Sequence, residues 1–378
     1  MKLQIGIVGL GNMGAVHARN LGKIDNVELV GICDVDAERA LQIGEEVDVA
    51  AYLQPSQMMQ ESGCTAVLIA TPHPFHREVC EEAANRGLHV LCEKPLAVHV
   101  ADADAMVQSC HQAGVMLGVV FQQRTEPSRR AMKRIIGSGE LGETYRVAMT
   151  APWYRPQFYY DSGAWRGTWS GEGGGILMNQ APHSLDQLLW LGLPPQSVQA
   201  ITSTRLHSIE VENTALAILD YGLGATGMLS TSTAEVLGSE RLEIFGDKGV
   251  LQFENGKVRH YQAKSSLSQH LQTSTEAFGS IGGEWREVDF ENEKAEDGAK
   301  SGGAQSGGHN AVIHAFAEAV LSGDQSKLIA RGEDGVASLE LANAILMAGI
   351  TRREVQFPLD RAAYKDVLSK LQSGALKV

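Results

Sequence analysis

Two stretches of the sequence concentrate side chains able to move protons. One is Glu93-Lys94-Pro95, in "CEKPLA". A lysine at a strand end can donate to an oxygen, and burial lowers its pKa toward the range useful for proton transfer. The other is "GEGGGILMNQAPHSLDQ", where a glycine run gives way to apolar residues around His183. Asn179 stands four positions earlier, so the spacing predicts two side chains on one helix face. An amide occupies the place where a carboxylate would raise the basicity of the histidine. Pro182 either kinks this helix or marks a late start, and Asp186 is a further candidate to orient the ring.

A third stretch is built for binding. Gly9, Gly11 and Gly14 form G-x-G-x-x-G directly after the apolar run "LQIGIV". The first glycine permits a tight turn, the second lets the backbone approach a pyrophosphate, and the third allows close helix packing. The helix opening at Asn12 and Met13 presents free N–H groups to the phosphates. Asp34 ends the next strand 20 positions after Gly14, where it can bond ribose hydroxyls. Its charge opposes the 2′-phosphate of NADP, and no arginine follows it before Arg39, so the expected cofactor is NAD.

Such residues need a scaffold. Over the first ~120 residues, short apolar strands ("VELVGICD", "AVLIATP", "HVLCEKP", "VMLGVVFQ") alternate with helical patterns ("DAERALQIGEEV", "HREVCEEAANRG", "VADADAMVQSCHQAG"). That rhythm predicts a doubly wound α/β domain, a Rossmann arrangement with a parallel sheet covered on both faces and ligands at the strands' carboxyl ends. After Gln122 one helix precedes a succession of alternating strands, which predicts an α+β domain with a large, mainly antiparallel open sheet. The expected domains are residues 1–122 and 123–378, with the Gly/Ser-rich residues 265–308 as a long loop or flexible insertion. Two helical segments, "NAVIHAFAEAVLSG" and "EDGVASLELANAILMAGITR", follow.

Composition narrows the function classes. A chain of 378 residues, 43% hydrophobic and 20% charged, reads as an ordinary soluble protein with room for two cores. Its net charge of −13 argues against nucleic acid and anionic membranes as partners. The N-terminus reads as a strand rather than a signal peptide, and no apolar run approaches a membrane span, so the expected location is cytoplasmic. Cys33, Cys64, Cys80, Cys92 and Cys110 form no CxxC pair and have no metal-ligand spacing, so they read as buried reduced thiols. His73 and His76 lack an accompanying carboxylate cluster, and no metal is expected.

Taken together, these motifs resemble the Gfo/Idh/MocA family of sugar and cyclitol oxidoreductases. The likeness runs along nearly the whole chain. It rests on GxGxxG followed by His17, the turn Thr71-Pro72 with His76, Glu93-Lys94-Pro95, "QQRTEPSRRAMKRIIGSGELGE", Trp165-Arg166, the glycine run before His183, and "VQFPLDRAAY". The resemblance implies packing into homodimers or homotetramers. It also implies that Thr71, Pro72, His73, His76, Glu93 and Lys94 line the cofactor, and that Lys94, residue 179 and His183 form the catalytic set. In that set His183 is the base and Lys94 polarises the hydroxyl. The family pattern has aspartate four residues before the histidine, and Asn179 departs from it while remaining able to bond substrate hydroxyls.

From Trp153 to Trp169 the chain holds seven of its 22 aromatic residues, a density that needs a reason. Tyr154, Tyr160 and Trp165 could pack on sugar C–H faces while Arg155, Asp161 and Arg166 bond hydroxyls or an acidic group; equally, the aromatics could seal an interface. Gln123 and Arg124 are further substrate candidates. The expected reaction is oxidation of a secondary hydroxyl on a sugar, polyol, cyclitol or glycoside. The alternatives are glycoside cleavage through transient oxidation with NAD held throughout, and a non-catalytic NAD-binding sensor.

Overall fold

Apolar runs of two to seven residues become parallel strands in the first of two units of the protein. The computed structural model describes residues 1–236, 238–290 and 308–377. In chain order, β1 (Leu3–Val8), α1 (Asn12–Leu21), β2 (Val27–Cys33), α2 (Ala37–Val47), β3 (Ala51–Tyr52) and α3 (Pro55–Glu61) lead to β4 (Ala66–Ile69). Then come α4 (His76–Asn85), β5 (His89–Cys92), α5 (Val100–Ala113) and β6 (Leu117–Val119). The six strands are all parallel, in the order β3-β2-β1-β4-β5-β6. This is the doubly wound order expected of a dinucleotide-binding sheet, with its switch point between β1 and β4. Ile5, Ile7, Leu68 and Leu91 are at most 1% exposed, because helices cover both faces.

The second unit opens with α6 (Pro127–Gly137), β7 (Thr144–Pro152), α7 (Gln157–Asp161), α8 (Ile176–Asn179) and α9 (Pro182–Leu191). Next are β8 (Ser197–Ser203), β9 (Thr214–Gly222), β10 (Ala225–Ser232), β11 (Arg241–Gly246), β12 (Gly249–Glu254), β13 (Lys257–Ala263), α10 (Leu267–Thr273) and β14 (Gly283–Glu287). Later in the chain lie α11 (His309–Ser322), α12 (Gly332–Thr351), β15 (Val355–Gln356) and α13 (Arg361–Gln372). Among the described residues the second sheet has the order β14-β13-β12-β11-β7-β10-β9-β8-β15. Every pairing is antiparallel except β10 with β7. Strand β9 shows why: Ala215, Ala217 and Leu219 are buried while Leu216 and Ile218 face out, the alternation of a sheet with one covered face. Both the Rossmann sheet and the open antiparallel sheet are as the sequence led us to expect.

Two expectations need correction. The chain does not cross once between domains at residue 122: the first unit is Met1–Glu126 together with Ala295–Leu339, of which residues 308–339 are described. The reason is hydrophobic, since Val312, Ile313, Phe316 and Ala317 of α11 belong to the same buried core as Ile5, Ile7 and Leu68. Residues 265–308 are also not one long loop. Helix α10 and strand β14 fall within them, and β14 extends the sheet by pairing Tyr261 with Trp285. Residues 291–307 of that stretch lie outside the described residues. The five cysteines are buried, and among the described residues no helix is long and apolar enough to cross a membrane.

Phe316 is 1% exposed in the first unit's core, so Phe316→Ala should lower stability by about 3–5 kcal/mol in chemical denaturation. An unchanged midpoint would show that α11 is not part of that core.

Candidate active site

The glycine turn of the first unit lies where β1 ends and α1 begins. Gly9 has φ +91°, and a Cβ there would stand 2.6 Å from backbone atoms of Ala70 and Thr71. At Gly14 a Cβ would lie 1.8 Å from the Gly9 carbonyl oxygen. Only hydrogen fits at either position, so the helix end comes close to the turn and leaves a cradle above it. Gly11 has open space around it and caps α1 with no side-chain hydrogen bond, which leaves the first-turn N–H groups of Asn12 and Met13 for an anion. Beside the turn, the buried Thr71 hydroxyl has no hydrogen-bond partner among the described residues. A dinucleotide pyrophosphate fits this set of donors.

Asp34 ties the turn together as well as offering itself to a ribose. It is 7% exposed and accepts from Leu10 N (2.7 Å) and Asp36 N (2.9 Å). Arg39 reaches it at 3.4 Å. A carboxylate has lone pairs beyond these contacts, so it can still accept from hydroxyls.

The lysine turn is fixed by buried groups on neighbouring elements. Glu93 accepts from His17 Nε2 of α1 at 2.7 Å, and its other oxygen accepts from Lys94 N at 3.3 Å. Burial alone would raise the Glu93 carboxyl, but the His17 bond and the nearby His17, Lys94 and His309 side chains hold it down at about 2. His309, whose ring centroid lies 5.4 Å from that of His17, is itself kept below the usual histidine range by burial. His76 is fully buried, with Nε2 2.9 Å from Thr71 O and Nδ1 3.1 Å from Pro95 O. Its ring therefore packs between the Thr71-Pro72 turn and the lysine turn, and His73 packs edge-on against it at 5.9 Å. The Lys94–Pro95 peptide is cis. The dinucleotide and lysine motifs thus gather at the strand ends of one sheet.

In the second unit, the expected single helix through Asn179 and His183 does not form. Helix α8 ends at Asn179, Gln180 and Ala181 both bond back to Ile176 O, and α9 starts at Pro182. Proline lacks the N–H that a continuing ladder needs but is well placed at a helix start. His183 therefore sits in the first turn of its own helix, 7% exposed, and Asp186 is 2% exposed on the same helix.

Two carboxylates that the sequence reading did not single out organise the glycine run. Glu172 Oε1 accepts from Asn179 Nδ2, and its Oε2 accepts from Gly167 N at 2.6 Å. Glu212 accepts from Gly175 N (2.9 Å) and Leu177 N (3.0 Å), which caps the start of α8. Burial pushes the Glu212 carboxyl up to about 7. A Cβ at Gly175 would lie 1.8 Å from Glu212 O, which explains a glycine at that close approach.

Of the aromatic stretch, Tyr160 is 5% exposed, bonds Thr233 Oγ1 (2.8 Å) and packs 4.9 Å from His207, so it is a core residue of its unit. Arg166 lies over Trp165 (4.3 Å) and Tyr159 (4.4 Å) and donates to Tyr159 Oη at 2.6 Å. Tyr154 is 64% exposed, and its carbonyl accepts from Arg155. Arg124 belongs to the first unit, 6% exposed, where it donates to Ile329 O and pairs with Asp334 at 3.2 Å. Those contacts anchor the returning segment. Among the described residues no three His, Cys, Asp or Glu side chains are grouped to hold a metal ion.

Comparison with known proteins agrees with this geometry. Residues 3–121 match a family model described as an oxidoreductase family with an NAD-binding Rossmann fold, and residues 129–252 match the GFO/IDH/MocA C-terminal domain. The myo-inositol 2-dehydrogenase of Thermotoga maritima is 29% identical over 67% of this chain and 75% of its own. The scyllo-inositol 2-dehydrogenase (NAD(+)) of Bacillus subtilis is 27% identical over 68% and 75% respectively. The WlbA dehydrogenase from Bordetella pertussis, crystallised with NADH and UDP-GlcNAcA, is 30% identical with a TM-score of 0.77, covering 95% of this chain and 100% of that one.

Gly9→Ala should abolish NADH binding followed by fluorescence; retained affinity would mean the turn does not form the cradle. The Glu212 carboxyl yields a second test. Its folded pKa of about 7 stands above the unfolded value of 4.5, so between them the folded state holds a proton that the unfolded chain releases. Stability is therefore gained at low pH and lost as pH rises through 7, by up to roughly 3 kcal/mol. Thermal midpoints across that window should fall in the wild type and flatten in Glu212→Gln; parallel curves would refute the assignment.

Proposed function

The chain belongs to the Gfo/Idh/MocA oxidoreductase family, and on that premise we propose that it oxidises a secondary hydroxyl of a sugar, cyclitol or glycoside, with His183 as base and Lys94 as the polarising donor. The observation that carries the reading is the glycine cradle at the switch point of a β3-β2-β1-β4-β5-β6 sheet, with Asp34 and the lysine turn at the same strand ends. When bound, NAD supplies the acceptor for the hydride lost from the alcohol carbon.

The protein's part is proton movement and positioning. Lys94 follows β5 and is half-buried, tied by its own N–H to the ionised Glu93. Its ammonium donates to the substrate oxygen and stabilises the negative charge that grows there as the hydroxyl proton leaves. His183 accepts that proton, since a neutral imidazole is a suitable base for a hydroxyl at neutral pH. Asn179 bonds a substrate hydroxyl, which fixes the sugar's orientation. Within the second unit, Trp165, Arg155 and Arg166 are the residues we assign to ring packing and hydroxyl recognition. Arg124 and Tyr160 we assign to structure, given their buried contacts.

A screen of inositols, aldoses, uronic acids and glycosides, following NADH absorbance, tests this. Lys94→Ala and His183→Ala should each reduce kcat by about 10²-fold or more with NADH binding retained. Full activity in both variants would sink the assignment. Glycoside cleavage without net NADH would replace dehydrogenation by a cycle of oxidation, elimination and re-reduction.

A further inference from the structure

We propose that Glu172 is a positioning residue for this reaction: its carboxylate orients and polarises the Asn179 amide, so that the two together supply what a single carboxylate at 179 would. The proposal rests on the function proposed above.

Glu172 lies seven residues before Asn179 and is 1% exposed. Its Oε1 takes the Asn179 amide hydrogen bond and lies 3.9 Å from Arg166 Nη1, while Oε2 takes the Gly167 N–H at 2.6 Å. The Asn179 amide presents its nitrogen to Glu172, so its Oδ1 is the atom able to accept from a substrate hydroxyl. A hydrogen bond donated by an amide to an anion polarises the amide, and in a buried site this strengthens the bond its oxygen accepts. The oxygen holds a substrate hydroxyl without competing with His183 for its proton, because an amide is not protonated near neutral pH.

The pair is one carboxyl group and one amide. Asn179→Asp would put two carboxyl groups in contact out of water. Glu172→Gln would leave two amides and no carboxyl. Exchanging both would restore the pair with the carboxyl at 179.

The test compares wild type, Glu172→Gln, Asn179→Asp and the double variant on a polyol the wild type oxidises. Each single change should lower kcat by about tenfold or more while leaving NADH affinity unchanged. The double variant should exceed both singles in kcat. Single losses that multiply in the double, or an unimpaired Glu172→Gln, overturn the proposal alone. A wild type inert toward every polyol overturns the function beneath it and the proposal with it.

Discussion

The buried contact between His17 and Glu93 holds the first unit's chemistry in place. One partner comes from the helix whose start forms the phosphate cradle, the other from the lysine turn, 76 residues apart. Charges taken out of water are costly unless fully bonded, and removing one partner leaves the other exposed to that cost. Glu93 meets the condition with His17 on one oxygen and the Lys94 N–H on the other, and it remains ionised throughout the neutral range. The contact therefore fixes Lys94 relative to the glycine turn. His76 packs between the Thr71 turn and the carbonyls of Pro95 and Leu96.

The second unit relies on the same means. Glu212 caps α8, Glu172 holds the residue that ends it, and Pro182 starts the helix that carries His183. Glycines at 174 and 175 leave no room for side chains, so this segment packs directly on backbone and on Met178. The histidine's position is thus set by buried polar bonds and by steric exclusion, and hardly by helix propensity. Both units place the side chains proposed for catalysis at element ends, where backbone N–H groups are free to bind carboxylates.

Most strands of both sheets and the glycine turn were legible in the sequence because their signals are local, while β14 lay hidden in a Gly/Ser-rich stretch. Continuous apolar runs, a period of two in "NTALAILDYG" and three glycines at fixed spacing each follow from a few adjacent residues. What escaped was long-range. The pattern of α11 predicts a helix, but nothing in it says that Phe316 belongs with Ile5. Glu172 and Glu212 look like ordinary solvated acids until the fold buries them. The one available signal was the glutamate inside "GEGGG", an expensive charge set within a tightly packed run. The break between Asn179 and His183 was visible as Pro182, though the sequence left open whether the proline bends a helix or begins one.

The return of α11 to the first unit also has a bearing on synthesis. A ribosome that has finished residue 126 has made all six strands of the parallel sheet, yet it has not made Phe316, Val312 or Ile313. Domains generally fold as units during translation, N-terminal first. Here the apolar surface on that sheet stays uncovered while most of the second unit is made. The cofactor-binding unit, begun before the second unit, is completed only after most of that unit has been made.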